Sequence, residues 1–259
     1  RRVLFRSLDA HKAYDALWNQ ILQSSRSDGK DPLADWDAHL ANLEARRTWM
    51  TNQHFTSLHY TNSLGTDLTV GLPDNHIWQG GMEETASGIL FNANVPTEEI
   101  YSAPQADAVN GTVYSTRPLV YNGNTIDRFH LTFKDGKVVD AAAEIGEDVL
   151  KKLVAVDEGA GRLGEVALIP YASPISLSGI LFYETLFDEN ASCHLALGAS
   201  YPTCLKGGTE LDKEGLSKAG LNDSMIHVDF MVGSKDLTIT GLKKDGTVVP
   251  VFTNGNWAE

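Results

Sequence analysis

The stretch from residue 225 to residue 232 alternates between apolar and polar side chains, and this pattern constrains the fold more than any other. Read as a β-strand, it has one apolar face, made of Ile226, Val228, Phe230 and Val232. His227 and Asp229 fall on the opposite face, because strand side chains alternate with a period of two. An imidazole beside a carboxylate suits a divalent metal ion. The same pair also fits an ordinary half-buried strand with two polar groups in water, so other parts of the chain must separate the two interpretations.

The start of the chain has helical spacing instead. A first helix is predicted from about residue 8 to residue 23, with an apolar stripe of Leu8, Tyr14, Leu17, Trp18 and Ile21. Asp31 followed by Pro32 is typical of an N-cap with proline at the first helical position. A second helix is therefore predicted from there to about Thr51.

From Phe55 onwards, short apolar runs alternate with turn residues. The predicted elements are a hairpin over 55–72, a strand over 88–95, an antiparallel meander over 112–145, a helix over 147–157, a strand over 164–170, a helix over 179–190, a strand over 194–198, a loop with a short acidic helix over 207–224, and a final hairpin that turns at 244–246. Because short turns join successive strands, the predicted fold class is α+β, with a mostly antiparallel sheet or barrel-like body and flanking helices.

Composition excludes several kinds of partner. The 259 residues include 34 acidic and 21 basic side chains, for a formal net charge of −13. Nucleic acids and anionic membranes both need basic patches, so neither is expected as a partner. No signal peptide and no apolar run long enough for a membrane span is visible. The two cysteines, Cys193 and Cys204, fit free thiols better than a disulfide framework, which favours a cytoplasmic location.

Two common signatures can be set aside. The letters of residues 159–164 (GAGRLG) match a dinucleotide-binding fingerprint, but that loop needs a strand before it and a helix after it. Here a predicted helix precedes and a strand follows, so helix termination by glycine is the better interpretation. The chain also has no His-Glu-x-x-His helix and no paired Cys-x-x-Cys, so a metal site would have to collect scattered ligands.

Polar residues at the ends of apolar elements are the remaining candidate ligands: Glu98, Glu99, Glu165, Glu189 and His194. Each carboxylate alone also fits a solvated surface group. Glu98 and Glu99 point to opposite sides of an extended segment, so both cannot easily bind one ion. Glu189 and His194 can reach one site only if the helix before them stops near Asn190.

Four blocks of the sequence make a specific resemblance. They are residues 94–99 (NVPTEE), 164–168 (GEVAL), 186–194 (LFDENASCH) and 227–234 (HVDFMVGS). Together they resemble the signature blocks of the thermophilic-type metallo-aminopeptidases, the family of aminopeptidase T, aminopeptidase S and PepS. The segments 57–60 (SLHY), 65–68 (GTDL) and 77–81 (IWQGG) fit the same pattern. The match runs from about residue 15 to the C-terminus.

The resemblance implies two divalent metal ions, with zinc, cobalt and manganese equally compatible with the ligand types. By motif, Glu99 and His194 are expected to bind one ion. His227 and Asp229 are expected as further ligands within the pair, and Glu165 as the carboxylate that bridges the two ions.

The resemblance also implies the reaction, which is removal of N-terminal amino acids from peptides. Glu189 matches a further acidic position of the site, as a ligand or beside one. Tyr201 matches a tyrosine that assists at the reacting carbonyl, where a hydroxyl can donate a hydrogen bond to the developing oxyanion. Glu98, a free carboxylate next to the ligands, is expected to act as the general base.

Members of the family carry a further α/β domain before the region that matches. Residues 1–53 are therefore expected to be the end of that domain or a connector, and residues 54–259 to be the metal-bearing catalytic domain. A homodimer that acts on peptides with a free N-terminus is implied. The alternatives are another dinuclear metal hydrolase that acts on amides or esters, and a non-catalytic metal-binding fragment.

Overall fold

The computed structural model describes residues 9–258. Leu8, expected in the first helix, lies outside these residues, as do the outer ends of the two expected domains. The helices are α1 (Ala10–Ser24), α2 (Pro32–Gln53), α3 (Glu147–Leu153), α4 (Pro174–Ser178), α5 (Thr185–Glu189) and α6 (Lys213–Lys218), with short 3-10 turns at Pro202–Cys204 and Gly208–Glu210. Asp9 and Asp31 cap α1 and α2 by accepting backbone N–H bonds, so both predicted N-terminal helices are confirmed. Among these helices none is long and apolar enough to cross a bilayer.

The described strands, in chain order, are β1 (Phe55–Thr61), β2 (Asp67–Gly71), β3 (Met82–Glu84), β4 (Leu90–Asn92), β5 (Ile100–Ser102), β6 (Val109–Tyr114), β7 (Leu119–Tyr121), β8 (Asn124–Lys134), β9 (Lys137–Ile145), β10 (Leu163–Leu168), β11 (His194–Gly198), β12 (His227–Met231), β13 (Thr238–Lys243), β14 (Val248–Thr253) and β15 (Asn256–Trp257). All the pairs they form are antiparallel. The α+β class with a mostly antiparallel body is therefore confirmed.

The largest sheet follows the order β15-β14-β13-β1-β2-β6-β8-β7, with β9 added beside β8. Its pairing path has two ends, so the described body is an open sheet and not the barrel-like alternative. The predicted hairpin that begins at Phe55, the meander and the closing hairpin all lie in this sheet. A second sheet has the order β12-β11-β10-β5, and β3 pairs with β4 in a separate hairpin.

One hydrophobic core joins the two larger sheets. Phe129 of β8 and Phe230 of β12 meet across it, with ring centroids 5.7 Å apart. Phe230 belongs to the apolar face that the alternating pattern predicted. On that face Phe230 and Val232 are buried in this core, and Ile226 and Val228 pack against it partly buried. Leu43 and Met50 of α2 belong to the same buried cluster, so the second helix packs against the sheets. Burial of each large apolar side chain contributes roughly 1.5–3 kcal/mol, which holds the second sheet firmly in place.

The predicted helix over 179–190 is wrong. Gly179, with a φ of 65°, ends α4 in the left-handed conformation, and Tyr183 is also left-handed at 60°. Glu184 then caps a separate five-residue helix, α5, by accepting a bond from Phe187 N–H. The strand expected over 88–95 is limited to β4, and the helix expected to reach residue 157 ends at Leu153.

Candidate metal centre

The second sheet places the candidate ligands on one face. Glu165 of β10 and Asp229 of β12 both stand opposite Ala196 of β11, so the three residues form one row across the strands. Directly paired residues project to the same side of a sheet. The small side chain of Ala196 leaves the space between the two carboxylates open.

The same register brings in the remaining ligands. His194 lies two residues before Ala196, and His227 lies two residues before Asp229, so both imidazoles share the face of that row. Tyr101 of β5 stands opposite Ala167, which also pairs with His194. Glu99, two residues before Tyr101, therefore projects to the same side. The end of α5 at Glu189, with Asn190 as its C-cap, satisfies the condition for Glu189 and His194 to reach one site.

Within residues 9–258, two groups of side chains could hold a metal ion. The first group is Glu99, Glu165 and His194, and the second is Glu165, His227 and Asp229. In the first, His194 Nε2 lies 3.2 Å from Glu99 Oε2 and 3.3 Å from Glu165 Oε1. In the second, His227 Nε2 lies 3.5 Å from both Glu165 Oε2 and Asp229 Oδ1. Each oxygen of Glu165 thus faces a different imidazole.

Backbone carbonyls fix the orientation of both imidazoles. His194 Nδ1 lies 3.0 Å from the carbonyl oxygen of Glu189, and His227 Nδ1 lies 2.8 Å from that of Ala199. A carbonyl oxygen only accepts, so each Nδ1 carries the proton and donates it. In the neutral rings each Nε2 then presents a lone pair to carboxylate oxygens, an arrangement that a cation relieves.

The pKa values of the two histidines are raised because the surrounding carboxylates favour positive charge in the cavity. Burial alone would lower the pKa of His227, but the hydrogen bond to Asp229 and the nearby carboxylates raise it to about 9. The pKa of His194 is also raised well above its ordinary value, because the bonds to Glu165 and Glu99 outweigh its burial. Burial raises the pKa of Glu165, and the charge of Glu99 adds to this increase. Imidazole nitrogens and carboxylate oxygens are the donors that zinc and similar ions take, so these residues fit a divalent metal ion.

These ligands line a cavity of about 120 Å³. Its lining is Asn94, Glu99, Tyr101, Glu165, Glu189, His194, Tyr201, His227 and Asp229. Glu189 belongs to neither ligand group, and burial together with the carboxylates of Asp229 and Glu99 raises its pKa to about 8. The Tyr201 ring lies 4.8 Å from the His227 ring, and burial raises the Tyr201 pKa to about 12, so its hydroxyl keeps its proton at neutral pH.

Tyr101 lines the cavity although the sequence reasoning did not select it. Its ring packs edge-on against that of Tyr201, with centroids 6.0 Å apart. A signal was present in the extended segment predicted at Glu98 and Glu99, where residues two apart such as Glu99 and Tyr101 share a face, although β5 itself was not predicted. Asn94 was likewise missed, and as an exposed loop residue it carries no comparable signal.

Glu98 lies away from this cavity. The structure separates it from Glu99 as the extended segment requires, but its carboxylate points into the protein towards the turn between α1 and α2. Arg26 binds both of its oxygens, with Nη2 2.8 Å from Oε2. The structure therefore brings seven of the eight predicted site residues together and leaves Glu98 outside.

Comparison with known proteins gives the family of the chain. A family model described as thermophilic metalloprotease (M29) matches residues 2–257. This chain belongs to that family. The resemblance that the sequence blocks indicate is thereby confirmed.

Named relatives of this M29 chain are close in sequence and structure. Aminopeptidase 2 of Geobacillus stearothermophilus is 51% identical over 255 residues, which cover 98% of this chain and 62% of the relative. Aminopeptidase AmpS of Bacillus subtilis (strain 168) is 49% identical over the same shares. The solved structure of wild-type AmpT from Thermus thermophilus has a TM-score of 0.92 at 41% identity, covering 100% of this chain and 62% of that one. The M29 chain thus spans about 62% of the length of these relatives.

Proposed function

We propose that this chain carries the active site of a metal-dependent aminopeptidase that uses two divalent ions. The observation that carries this proposal is the sharing of Glu165 between two ligand groups. Glu99, Glu165 and His194 would hold one ion, and Glu165, His227 and Asp229 would hold the other. The relatives named aminopeptidase 2 and aminopeptidase AmpS give the reaction class.

Bound ions would lower the pKa of an attacking water and polarise the scissile carbonyl. We assign Glu189, in place of Glu98, as the general base that takes the proton of this water. Burial raises the pKa of Glu189, but bound cations would oppose this increase and keep its carboxylate ionised, so that it could accept a proton from the water and release it to the departing amine. Tyr201, whose hydroxyl stays protonated, would donate a hydrogen bond to the carbonyl oxygen as negative charge develops there.

The carboxylates also favour a particular kind of substrate. Four of the side chains that line the cavity are acidic, namely Glu99, Glu165, Glu189 and Asp229. The carboxylates and the ions they would hold can both anchor a free α-amino group, whereas an acetylated nitrogen has neither the positive charge nor the available lone pair for such an anchor. We therefore assign peptides with a free N-terminus as the substrate.

An assay on matched peptides tests this function. The chain is stripped of metal, reloaded with zinc, cobalt or manganese, and given a peptide series with free or acetylated N-termini. We expect release of free amino acids from the free peptides only, and only after reloading. Equal cleavage of acetylated peptides would assign the chain to a broader amide or ester hydrolase. Two bound ions without any turnover would assign it to a non-catalytic metal-binding fragment.

We further propose a cytoplasmic homodimer, in which residues 1–53 act as a connector and residues 54–259 as the catalytic domain. Both cysteines are buried and unpaired, which suits a reducing compartment.

Analytical ultracentrifugation of the chain at several concentrations tests the dimer, and a single monomeric species would exclude it. Limited proteolysis tests the boundary: early cleavage near residue 54 would support it, and joint protection of α2 with the sheets, which the buried Leu43 and Met50 favour, would move it to before α2.

A further inference from the structure

The turn between α1 and α2 carries Arg26, which binds a buried carboxylate next to a candidate ligand. Glu98 has a side chain only 3% exposed, and Arg26 is itself mostly buried. The guanidinium contacts both carboxylate oxygens, so the pair is bidentate. Such a fork-to-fork pair fixes both distance and orientation, unlike a single exposed contact.

The main chain on either side of Glu98 is held as well. His39 of α2 donates from Nε2 to the carbonyl oxygen of Thr97 at 2.7 Å. Asn190, fully buried at the end of α5, accepts from the Glu98 backbone N–H at 2.8 Å and donates to the Leu186 carbonyl at 2.9 Å. The residues that lead into Glu99 are therefore held by the α1–α2 turn and α2 on one side and by the end of α5 on the other.

Hydrogen bonds within the turn between α1 and α2 also hold the backbone of Arg26. Its backbone N–H bonds to the Gln23 carbonyl, and its φ of 50° directs the chain out of α1. Trp36 of α2 donates from Nε1 to the Ser25 carbonyl at 2.8 Å, which ties the turn to the second helix. The main-chain position from which the Arg26 side chain extends is therefore fixed.

We propose that Arg26 and Glu98 are positioning residues that hold Glu99 in the ligand geometry of the first group. The turn between α1 and α2 would then contribute to metal affinity without supplying a ligand. Because Glu99 follows Glu98 directly, any rotation of the segment would move the Glu99 carboxylate away from His194. This inference rests on the proposed metal function of Glu99, and it gives Glu98 a role other than that of general base.

Metal binding to the full 259-residue chain tests the proposal, with Co²⁺ as the probe. The main variant is Arg26→Gln combined with Glu98→Gln, which removes both charges together and leaves no lone buried charge. We expect the Co²⁺ affinity of the first ligand group, which contains Glu99, to fall by about 10- to 100-fold. This is the usual effect of losing a group that supports a metal ligand. The Co²⁺ absorption bands should shift, since they report ligand geometry directly.

The control removes another Arg–Glu pair, which lies on α2. Arg47 and Glu44 form an ion pair on the surface of α2, so Arg47→Gln with Glu44→Gln should leave Co²⁺ affinity and spectrum unchanged. Arg26→Lys keeps the charge but loses the two-point contact, and it should show an intermediate affinity. It also serves as the test variant if the double variant does not fold.

Three results would overturn the proposal. Wild-type affinity and spectrum in the folded double variant would show that the pair does not position Glu99. Unchanged Co²⁺ binding with lost turnover would restore Glu98 as a base. An equal loss of Co²⁺ affinity in the control variant would show a general effect of weakening the N-terminal helices. Failure of the wild-type chain to bind Co²⁺ would instead contradict the proposed function, so the two failures are distinguishable.

Discussion

Glu165 is the residue on which the candidate centre depends most. Its carboxylate is buried, and each of its oxygens faces a different imidazole. Burial and the charge of Glu99 both disfavour its ionised form, so its pKa is raised. A buried carboxylate that lies beside other carboxylates is stable when a cation or a proton neutralises its charge.

The first prediction concerns Glu165→Gln. Because the amide keeps the shape but loses the shared charge, we expect metal content to fall at both groups, together with most of the activity. Elemental analysis after dialysis against Zn²⁺ measures this. Asp67→Asn, at an exposed carboxylate of β2 away from the cavity, should retain full metal content. Loss of only one ion in Glu165→Gln would show that the groups bind independently.

Tyr201→Phe gives a second, contrasting result. The variant keeps every candidate ligand and the ring contact with His227, but it removes the hydroxyl that we propose as the hydrogen-bond donor to the carbonyl oxygen. We expect unchanged metal content with kcat lowered by about 10²–10³, the usual effect of losing one oxyanion donor. If KM rises while kcat is unchanged, Tyr201 binds the ground state and not the transition state.

A third prediction uses His76, which lies outside the centre. This imidazole is buried, its Nδ1 donates to the Pro73 carbonyl, and burial lowers its pKa. Below about pH 6.5 the unfolded chain binds a proton that the folded chain resists. The stability contributed by this residue is therefore present above that pH and is lost as the pH falls.

Urea unfolding of metal-free protein at about pH 7.5 and 5.5 measures this effect. The fall in the free energy of unfolding between these pH values should be smaller in His76→Gln than in the wild-type chain. Comparison of the two slopes is needed because His194 and His227, with raised pKa values, act in the opposite direction. Identical slopes would contradict the assignment.

At the scale of elements, strands β10, β11 and β12 create the centre through close main-chain packing. Gly198 pairs with His227 and has a φ of 105°. A Cβ atom there would lie 2.0 Å from the carbonyl oxygen of Ile226, the residue just before the strand that carries His227 and Asp229. The close approach of these strands thus requires glycine at this position.

The fourth prediction is that Gly198→Ala is strongly destabilising. The left-handed backbone alone costs about 1–3 kcal/mol, and the clash with β12 adds to this cost. We also expect weaker metal binding, because relief of the clash moves His227. The matched control is Gly246→Ala, at a turn with a φ of 86° and open space around the Cβ position. It should lose stability but keep its metal, and equal metal loss in both variants would refute the role of Gly198.

Sequence patterns predicted β10, β11 and β12 of this sheet but not the three-residue β5, and only β12 alternates, because β10 and β11 are buried along their whole length. The period of two over 225–232 was enough to separate the buried face from the ligand face. The helix predicted over 179–190 failed for a physical reason, since apolar spacing does not report the left-handed backbone at Gly179 and Tyr183. Alternation also separated Glu98 from Glu99, but it could not show what Glu98 meets. Its partner Arg26 is 72 residues away in the chain, and only tertiary packing brings them together.

For the whole molecule, the centre concentrates negative charge in a chain that is already acidic. The formal net charge is −13, and the cavity of the candidate centre is itself lined by four carboxylates. Self-repulsion of this kind destabilises the compact state. Bound cations would offset it at the point where the charge density is highest.

The fifth prediction follows for metal removal. Chelation should lower the melting temperature of the chain, since an ion that binds the folded state at 100 times its Kd contributes about 2.7 kcal/mol. Differential scanning calorimetry with and without chelator measures the change, and added Zn²⁺ should restore the original value. A melting temperature that is independent of chelator and of zinc would contradict metal binding to the folded chain.

The carbonyl groups that accept from His194 and His227 have an evolutionary consequence. They belong to the main chain of Glu189 and Ala199, so no side-chain substitution at those positions removes the acceptor itself. Divergence can therefore remodel the rim of the cavity, and with it the choice of peptide, while both imidazoles keep presenting Nε2 to the centre. A protein engineer who randomises the rim should recover new specificities more readily than new metal preferences.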